Sequence, residues 1–412
     1  MDERVYWLWL QHALGVGAAE SEPLLYAYGN AKAVYEAATV SPDIPLKSGQ
    51  RKALKDKDLT EAAALLRETE DLGAWVMTPD DEEYAALFGG MYAPPVVLYG
   101  KGERIDVSDA PAVAVVGTRK CDENGIVVTR RLAAGLAAAG AIVVTGGAEG
   151  LDSQALIGAL DEGGRCISFQ ACGIDVEYPR SVAPLRKRLL QSGGMLLTEF
   201  PLGLPAHRHH FRIRNRLISA AARGTLVTQA PYPSGAVMTA NWAREQGRDV
   251  FAVPGTVGVA CCEGSNALLK EGAKLVTNTA DVLIEYIDCY AVPLNFEAAA
   301  AAEDRAAKRR WHEWQDEKNM LAPPPQEEAP AETVLKVAEA SKDITYAPCP
   351  AAATPDMKQV YEALSGEGQT AAELAKATAL PLHAVLAALT KLEIYKAVSC
   401  EAGQRYVLRV TP

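Results

Sequence analysis

Ile142-Val143-Val144-Thr145-Gly146-Gly147-Ala148-Glu149-Gly150-Leu151-Asp152 decides the fold. A short β-branched run stops at a cluster of glycines, and a helical segment opens at once with Leu151-Asp152 and continues through Ser153–Asp161. The same alternation surrounds it. Val113–Val116, Cys166–Phe169, Met195–Thr198, Thr225–Thr228, Val250–Val253 and Lys274–Thr277 read as strands, and Val127–Ala139, Arg212–Ala222 and Gly235–Gln246 read as helices between them. Continuous apolar strands separated by amphipathic helices imply a parallel sheet covered on both faces. The expectation for residues 75–288 is an α/β, Rossmann-like doubly wound core.

Working outward, residues 1–70 carry apolar positions at helical spacing (Tyr6, Leu8, Leu10; Leu24, Leu25, Tyr28; Val34, Tyr35). Leu14-Gly15-Val16-Gly17 joins two such segments as in a helix–hairpin–helix or SAM-like domain, whose turn amides can hold a phosphate. A helical bundle that simply packs on the next domain is the competing reading. Residues 289–353 are rich in Ala, Pro, Glu and Lys, including Ala322-Pro-Pro-Pro325, and read as a poorly ordered linker apart from two tryptophans in Arg309–Trp314. Residues 354–412 run helix (Lys358–Leu364), helix (Ala371–Ala377), turn at Pro381, helix (Leu382–Leu392), then two strands (Ala397–Cys400, Gln404–Leu408) around Ala402-Gly403. That order is a winged helix. Its third helix carries almost no basic or amide side chains, so reading of DNA bases is disfavoured and a protein-interaction role competes.

The chain has 412 residues, 49% hydrophobic and 23% charged, the balance of a soluble globular protein with two or three domains. Met1-Asp2-Glu3-Arg4 has neither the basic nor the long apolar region of a signal peptide, and no run of about 18 apolar residues occurs. A cytoplasmic protein without a membrane partner is expected. The eight cysteines (121, 166, 172, 261, 262, 289, 349, 400) are scattered with no C-x-x-C pair. They read as reduced thiols rather than a disulfide framework or zinc site; for the vicinal Cys261-Cys262 a coincidence of the loop is the favoured reading and a redox role the competing one. No Ser-His-Asp pattern, paired carboxylates, Walker lysine or G-x-G-x-x-G fingerprint emerges. Neither an enzyme, a bound metal nor a cofactor is expected.

Charge points elsewhere. The net charge is −11, yet Arg180 to Arg223 holds nine Lys+Arg and one acid, Glu199. Residues 113–285 carry 18 Lys+Arg against 15 Asp+Glu. An acidic chain that gathers positive charge in one segment has an anionic partner there. Ligands of an open parallel sheet bind beyond the carboxyl ends of its strands, and the loops there are unusual. Gly117-Thr118-Arg119-Lys120 offers a glycine turn and two cations; Gly146-Gly147 permits close backbone approach. Phe211-Arg212-Ile213-Arg214-Asn215-Arg216 places alternate arginines where successive phosphates can be gripped, with Asn215 hydrogen-bonding a base or backbone and at least one arginine spent on an internal salt bridge. Ser234-Gly235 caps a helix that can hold a phosphate. Gly264-Ser265-Asn266 continues the rim. Phe211 and Tyr178 are the candidate base-stacking surfaces, with the core as their other possible place. His207, His209 and His210 read as a surface cluster, since no carboxylate or cysteine accompanies them at ligand spacing.

Several motifs in one order carry a resemblance: Val115-Val-Gly-Thr-Arg-Lys120, Thr145-Gly-Gly-Ala-Glu-Gly-Leu-Asp152, Ala171-Cys-Gly-Ile-Asp-Val-Glu-Tyr-Pro179, Leu197-Thr-Glu-Phe-Pro201, His210-Phe-Arg-Ile-Arg-Asn-Arg-Leu-Ile218, Ser234-Gly-Ala-Val-Met-Thr-Ala240, Gly247-Arg-Asp-Val-Phe-Ala-Val-Pro-Gly255 and Gly264-Ser-Asn266 with Lys270-Glu-Gly-Ala273. Over roughly residues 75–287 the chain resembles the DNA-processing protein A (DprA/Smf) family. The resemblance implies a non-enzymatic protein that binds single-stranded DNA without sequence preference, forms a homodimer and helps load a RecA-type recombinase in natural transformation. Carried over by position, it implies DNA contacts at Gly117, Thr118, Arg119, Gly146, Gly147, Arg180, Arg214, Asn215, Arg216, Ser234 and Gly235; the loop chemistry above adds Lys120 and Phe211. The chain departs from the family pattern at Glu149, Leu156, Arg212 and Gln229, which puts the Gly146–Asp152 contacts in question. The alternative is a nucleotide-processing hydrolase of the phosphoribohydrolase kind on a related sheet, but Pro233-Ser-Gly-Ala-Val-Met-Thr239 lacks that class's second glycine and following glutamate.

Overall fold

The computed structural model of the chain describes residues 1–321, 347–350, 353–364, 368–401 and 405–408. They fall into two compact units divided between Pro324 and Pro325. The first opens with five short helices, α1 (Arg4–Leu14), α2 (Ser21–Tyr28), α3 (Ala31–Glu36), α4 (Ser48–Ala53) and α5 (Thr60–Asp71). The alternating core follows as β1 (Trp75–Met77), α6 (Glu82–Phe88), β2 (Leu98–Gly102), β3 (Ala112–Val116), α7 (Glu123–Ala138), β4 (Ile142–Thr145), α8 (Leu151–Asp161), β5 (Cys166–Phe169), α9 (Ala183–Gln191) and β6 (Met195–Thr198). It continues through α10 (Arg208–Ala220), β7 (Gly224–Val227), α11 (Gly235–Glu245), β8 (Asp249–Ala252), α12 (Glu263–Lys270), β9 (Lys274–Leu275), α13 (Ala280–Leu283) and α14 (Phe296–Leu321).

The nine strands form one sheet in the order β1-β2-β6-β5-β4-β3-β7-β8-β9. Every pairing from β6 across to β9 is parallel; β2 adds to β6, and β1 to β2, in antiparallel register. The chain winds outward from β3 through β6, then crosses back to place β7 on the other side of β3. That makes β3 and β7 the flanks of a topological switch point, where the crevice of a doubly wound sheet opens. Alternate residues of each strand feed two cores. Val113, Val115 and Val143 pack with Leu132 and Leu136 of α7 and Ala155 and Ala159 of α8. Ala114, Val116 and Val144 pack with Leu217 and Ile218 of α10 and Ala240 and Ala243 of α11.

The seven parallel strands lie where the apolar runs place them, the last cut short to two residues. The antiparallel pair at the edge escaped the sequence because β1 has three residues and β2 ends in Gly-Lys-Gly, which leaves no alternation to read. The helical segment shares the first core and is pinned to the sheet by Gln11. Its amide donates to the Glu199 carbonyl at 3.0 Å and its oxygen accepts from the Tyr99 hydroxyl at 2.9 Å.

The linker expected from residue 289 is corrected in its first part: Phe296–Leu321 is a 26-residue helix docked on α7. Its alanines are the reason. Ala302 and Ala306 nest against Ala134, and Gly135 admits Thr279 and Glu303 to a distance at which a side chain would collide. Arg305 and Arg309 then reach Glu162, at the C-terminal end of α8, at 2.6 and 2.5 Å. An alanine-rich sequence lacks the large apolar residues that signal packing, but small ones suffice where two helices approach closely. The Ala322–Pro325 stretch and the side chains of Trp311 and Trp314 lie outside the described residues.

The second unit contains α15 (Pro355–Ala363), β10 (Gln369–Thr370), α16 (Ala371–Thr378), α17 (Leu382–Ile394), β11 (Val398–Glu401) and β12 (Arg405–Leu408). The strands pair antiparallel in the order β10-β12-β11, and Met357, Leu374, Val385, Leu389 and Leu392 make the core. This is a winged helix with a third short strand; the Ala402-Gly403 turn lies outside the described residues. Among the described residues no single helix is long and apolar enough to cross a membrane.

Candidate nucleic-acid interface

A cavity of about 620 Å³ opens at the switch point, lined by the loops that follow β3, β4, β5, β6 and β7. Thr118 ties these loops together: its N–H donates to the Gln229 carbonyl at 2.8 Å and its carbonyl accepts from Leu151 N–H at 3.1 Å. Gly117, Thr118, Arg119 and Lys120 form one wall, and Ser234 and Gly235 at the start of α11 form another. Ser234 Oγ accepts from Val237 N–H at 3.2 Å, so the helix is capped while its first-turn amides border the cavity. Asn215, buried and also on the wall, donates from Nδ2 to the Gly235 carbonyl at 3.1 Å. It positions α11 rather than standing free for a base.

Arg214 supplies the floor. Its side chain is 3% exposed, and neither Nε nor Nη1 has a hydrogen-bond partner. Burial pushes its pKa down to about 10, with Asp152 opposing and Arg119 adding to the fall, so the guanidinium remains a cation at neutral pH. Gly146 makes room for it: a Cβ there would coincide with Nη1. Gly146 therefore acts through Arg214, whereas Gly147, at a φ of +57°, leaves room for Ser168; both line a small recess beside the cavity rather than the cavity itself. Asp152, the one acid among the lining residues, accepts from Gly117 N–H at 3.3 Å; burial pushes its carboxyl up while Arg214 draws it down.

Phe211 stands over this floor. The Arg119 guanidinium lies 4.8 Å and that of Arg214 5.7 Å from its ring centroid, and the exposed Tyr178 ring sits 6.0 Å away. A flat aromatic pair thus borders four cations, Arg119, Lys120, Arg208 and Arg214. Arg208 is not among the sequence-based contacts, because the polar run before Arg212 hides the first turn of the helix. In fact α10 starts at Arg208, one turn earlier.

The same shift corrects the reading of Arg216. Residues 211–216 are not a loop of alternate arginines but the middle of a helix, where two residues are about 200° apart. Arg216 points away from the cavity, 6% exposed. Its Nη2 donates to Glu199 Oε2 at 2.5 Å and its Nη1 to the Ala93 carbonyl at 2.9 Å. Glu199, 1% exposed, also accepts from Gly17 N–H at 3.0 Å. The helix–hairpin–helix turn thus spends that amide on an internal carboxylate. Arg180 is exposed on a short turn outside the cavity, beside Ser181, which donates to Glu149. His207 and His209 are exposed as expected, but His210 is buried and stacks on Phe200 at 4.4 Å. Asn266 clamps its loop, exchanging two 3.0 Å hydrogen bonds with Gly255.

Residues 75–287 match the family model described as DNA recombination-mediator protein A, and residues 345–404 match the DprA winged helix domain. The putative DNA processing protein DprA of Mycobacterium tuberculosis is 33% identical over 418 residues, covering 98% of this chain and 94% of its own. The DNA processing protein DprA of Streptococcus pneumoniae is 38% identical over 50% of this chain and 72% of its own. The X-ray structure of DprA from that organism superposes with a TM-score of 0.59 at 30% identity, covering 69% of this chain and 99% of that one. With a matching core, a matching winged helix and a relative aligned nearly end to end, the chain belongs to the DNA recombination-mediator protein A (DprA/Smf) family.

Proposed function

We propose that this protein binds single-stranded DNA without sequence preference in the cavity at the switch point, and that as a cytoplasmic homodimer it passes the strand to a RecA-type recombinase in natural transformation. The observation that carries the reading is Arg214, a buried cation with two unpaired donors on the floor of an open cavity. A buried unpaired charge is costly, and a phosphate drawn against this guanidinium on the cavity floor would offset that cost. Arg119, Lys120 and Arg208 at the rim add attraction for neighbouring phosphates, and Phe211 and Tyr178 offer faces on which any base can stack. Such a site grips backbone and ring planes, which every sequence shares. The family's name fits this chemistry.

Binding of mixed-sequence and homopolymer single strands across a salt series tests it. Affinity should fall on a log–log plot with a slope of about −0.7 per phosphate neutralised, nearly the same for each sequence. An affinity flat with salt, or tight binding of one sequence alone, overturns the reading. Asp152 is the one feature that favours a nucleotide hydrolase, being a buried carboxyl raised within the cavity. Release of free base from a nucleoside monophosphate by wild type but not Asp152→Asn would establish that alternative.

A further inference from the structure

Three ligand atoms of metal-binding type converge where the β3–α7 loop meets the β8–α12 loop. One carboxylate oxygen of Asp122 and the sulfurs of Cys261 and Cys262 all lie within 4.8 Å of one another. The Cys261 thiol donates to Asp122 Oδ2 at 3.6 Å. The other oxygen, Oδ1, accepts from Gly125 N–H at 2.8 Å and caps α7, which fixes the carboxylate and leaves Oδ2 to the sulfurs. Gln229 braces the group from behind. Its Nε2 donates to the Cys262 sulfur at 3.5 Å and its Oε1 accepts from Asp122 N–H at 3.3 Å. An amide bonded at both ends to members of the trio is what holds metal ligands in orientation at built sites.

We propose that Asp122, Cys261 and Cys262 bind a thiophilic divalent cation of the zinc class, with a solvent molecule completing four-coordination. Two sulfurs and one carboxylate select such an ion over magnesium or calcium, which take oxygen ligands. Asp122 is exposed, Cys261 half-exposed and Cys262 buried, so the ion enters from the Asp122 side and the fourth position faces solvent. Burial, then Cys262 and Asp122, push the Cys261 thiol up to about 11. Ligation forms two metal–sulfur bonds and releases both protons to solvent, so binding tightens as pH rises. The starts of α7 and α12, at Asp122 and Cys262, favour the thiolates. Ligation would also fasten the loop that carries Arg119 and Lys120 to the β8–α12 loop. The spacing rules for zinc sites miss this trio because Asp122 lies 139 residues before Cys261. It stands independently of the DNA reading.

The test uses the full chain, reduced and stripped with a chelator. Cd²⁺ is titrated and followed by its thiolate charge-transfer absorption, and Zn²⁺ affinity is then measured against a chromophoric chelator. One tight equivalent is expected in wild type and in Cys121→Ser, and none in the Cys261→Ser/Cys262→Ser double variant. Gln229→Ala should weaken zinc by about 10–100-fold. Asp122→Asn, which keeps the helix cap, should weaken it by at least about tenfold and guards against a double variant that fails to fold. Zinc should raise the melting temperature of wild type and not that of the double variant. Equal zinc affinity in wild type and in Asp122→Asn overturns the proposal. So does a Cys261–Cys262 disulfide in the isolated protein with no tight zinc site after reduction.

Discussion

Arg214 and Arg216 leave the same helix two residues apart, both buried, yet one is ion-paired and the other has two unpaired donors. Arg216 faces the helical segment, where Glu199, the Ala93 carbonyl and, through Glu199, the Gly17 amide close the network. Arg214 lies under the mouth of the sheet, where its buried Nε and Nη1 have no hydrogen-bond partner. A charge whose neighbours satisfy it is part of the architecture. A charge held dry and unsatisfied costs stability that only a ligand returns, and such costs gather at functional sites. The density of arginine in a sequence is therefore a poor guide to which arginine binds; the partner of each is the guide.

The largest expected effect lies on the partnered side. Arg216→Met strands Glu199 as a buried carboxylate, and breaking a buried pair in this way costs about 3–5 kcal/mol. Thermal or denaturant unfolding should show that loss, and Glu199→Gln with Arg216→Met should recover part of it. If Arg216→Met unfolds at the wild-type midpoint and binds DNA more weakly instead, the assignment of the two arginines is reversed.

Arg214→Met should do the opposite. Loss of the unpaired cation relieves a burial penalty while leaving Asp152 less compensated, and the two nearly cancel, so the unfolding free energy should move by no more than about 1 kcal/mol. Single-strand affinity should fall by about 1.5–3 kcal/mol, the worth of hydrogen bonds to a charged group. The salt slope should lose about 0.7, one phosphate contact. Fluorescence anisotropy at several salt concentrations reads both. Unchanged affinity with a large loss of stability would make Arg214 another structural arginine.

The core was legible because its strands, buried on both faces, are uninterrupted apolar runs, and the place of the cavity followed from the ends of those strands. The split between the two arginines was only half legible. Sequence reasoning anticipated that one would be spent internally, but not which, because only the fold brings the partners of Arg216 together: Glu199 lies 17 residues before it and the Ala93 carbonyl 123. The polar turn His207-Arg-His-His also hid the start of α10, so arginines on different faces of a helix looked like a row on a loop. The docking of α14 was hidden for a related reason, since alanine carries little apolar signal of its own.

A third buried polar group of α10 sharpens the contrast with the smallest expected effect. His210 stacks on Phe200, and its Nδ1 has no partner. Burial, followed by the neighbouring His209 and His207, holds its pKa below the usual value, against backbone contacts at Ala171 and Pro205 that oppose the shift. The folded state therefore takes up this proton less readily than the unfolded chain. Below the ordinary histidine pKa of about 6.5 the unfolded state binds more protons, so stability is full above that value and declines as pH falls through the window beneath it. Arg214, pushed down only to about 10, stays charged throughout this window and contributes nothing to the decline. Unfolding midpoints measured from neutral pH towards 5 should fall less in His210→Phe than in wild type, because a phenyl ring can keep the stack on Phe200 and has no proton to gain. An equal fall in both proteins would mean that the acid sensitivity comes from elsewhere, and that an unsatisfied donor on this helix signals function only when it carries a permanent charge.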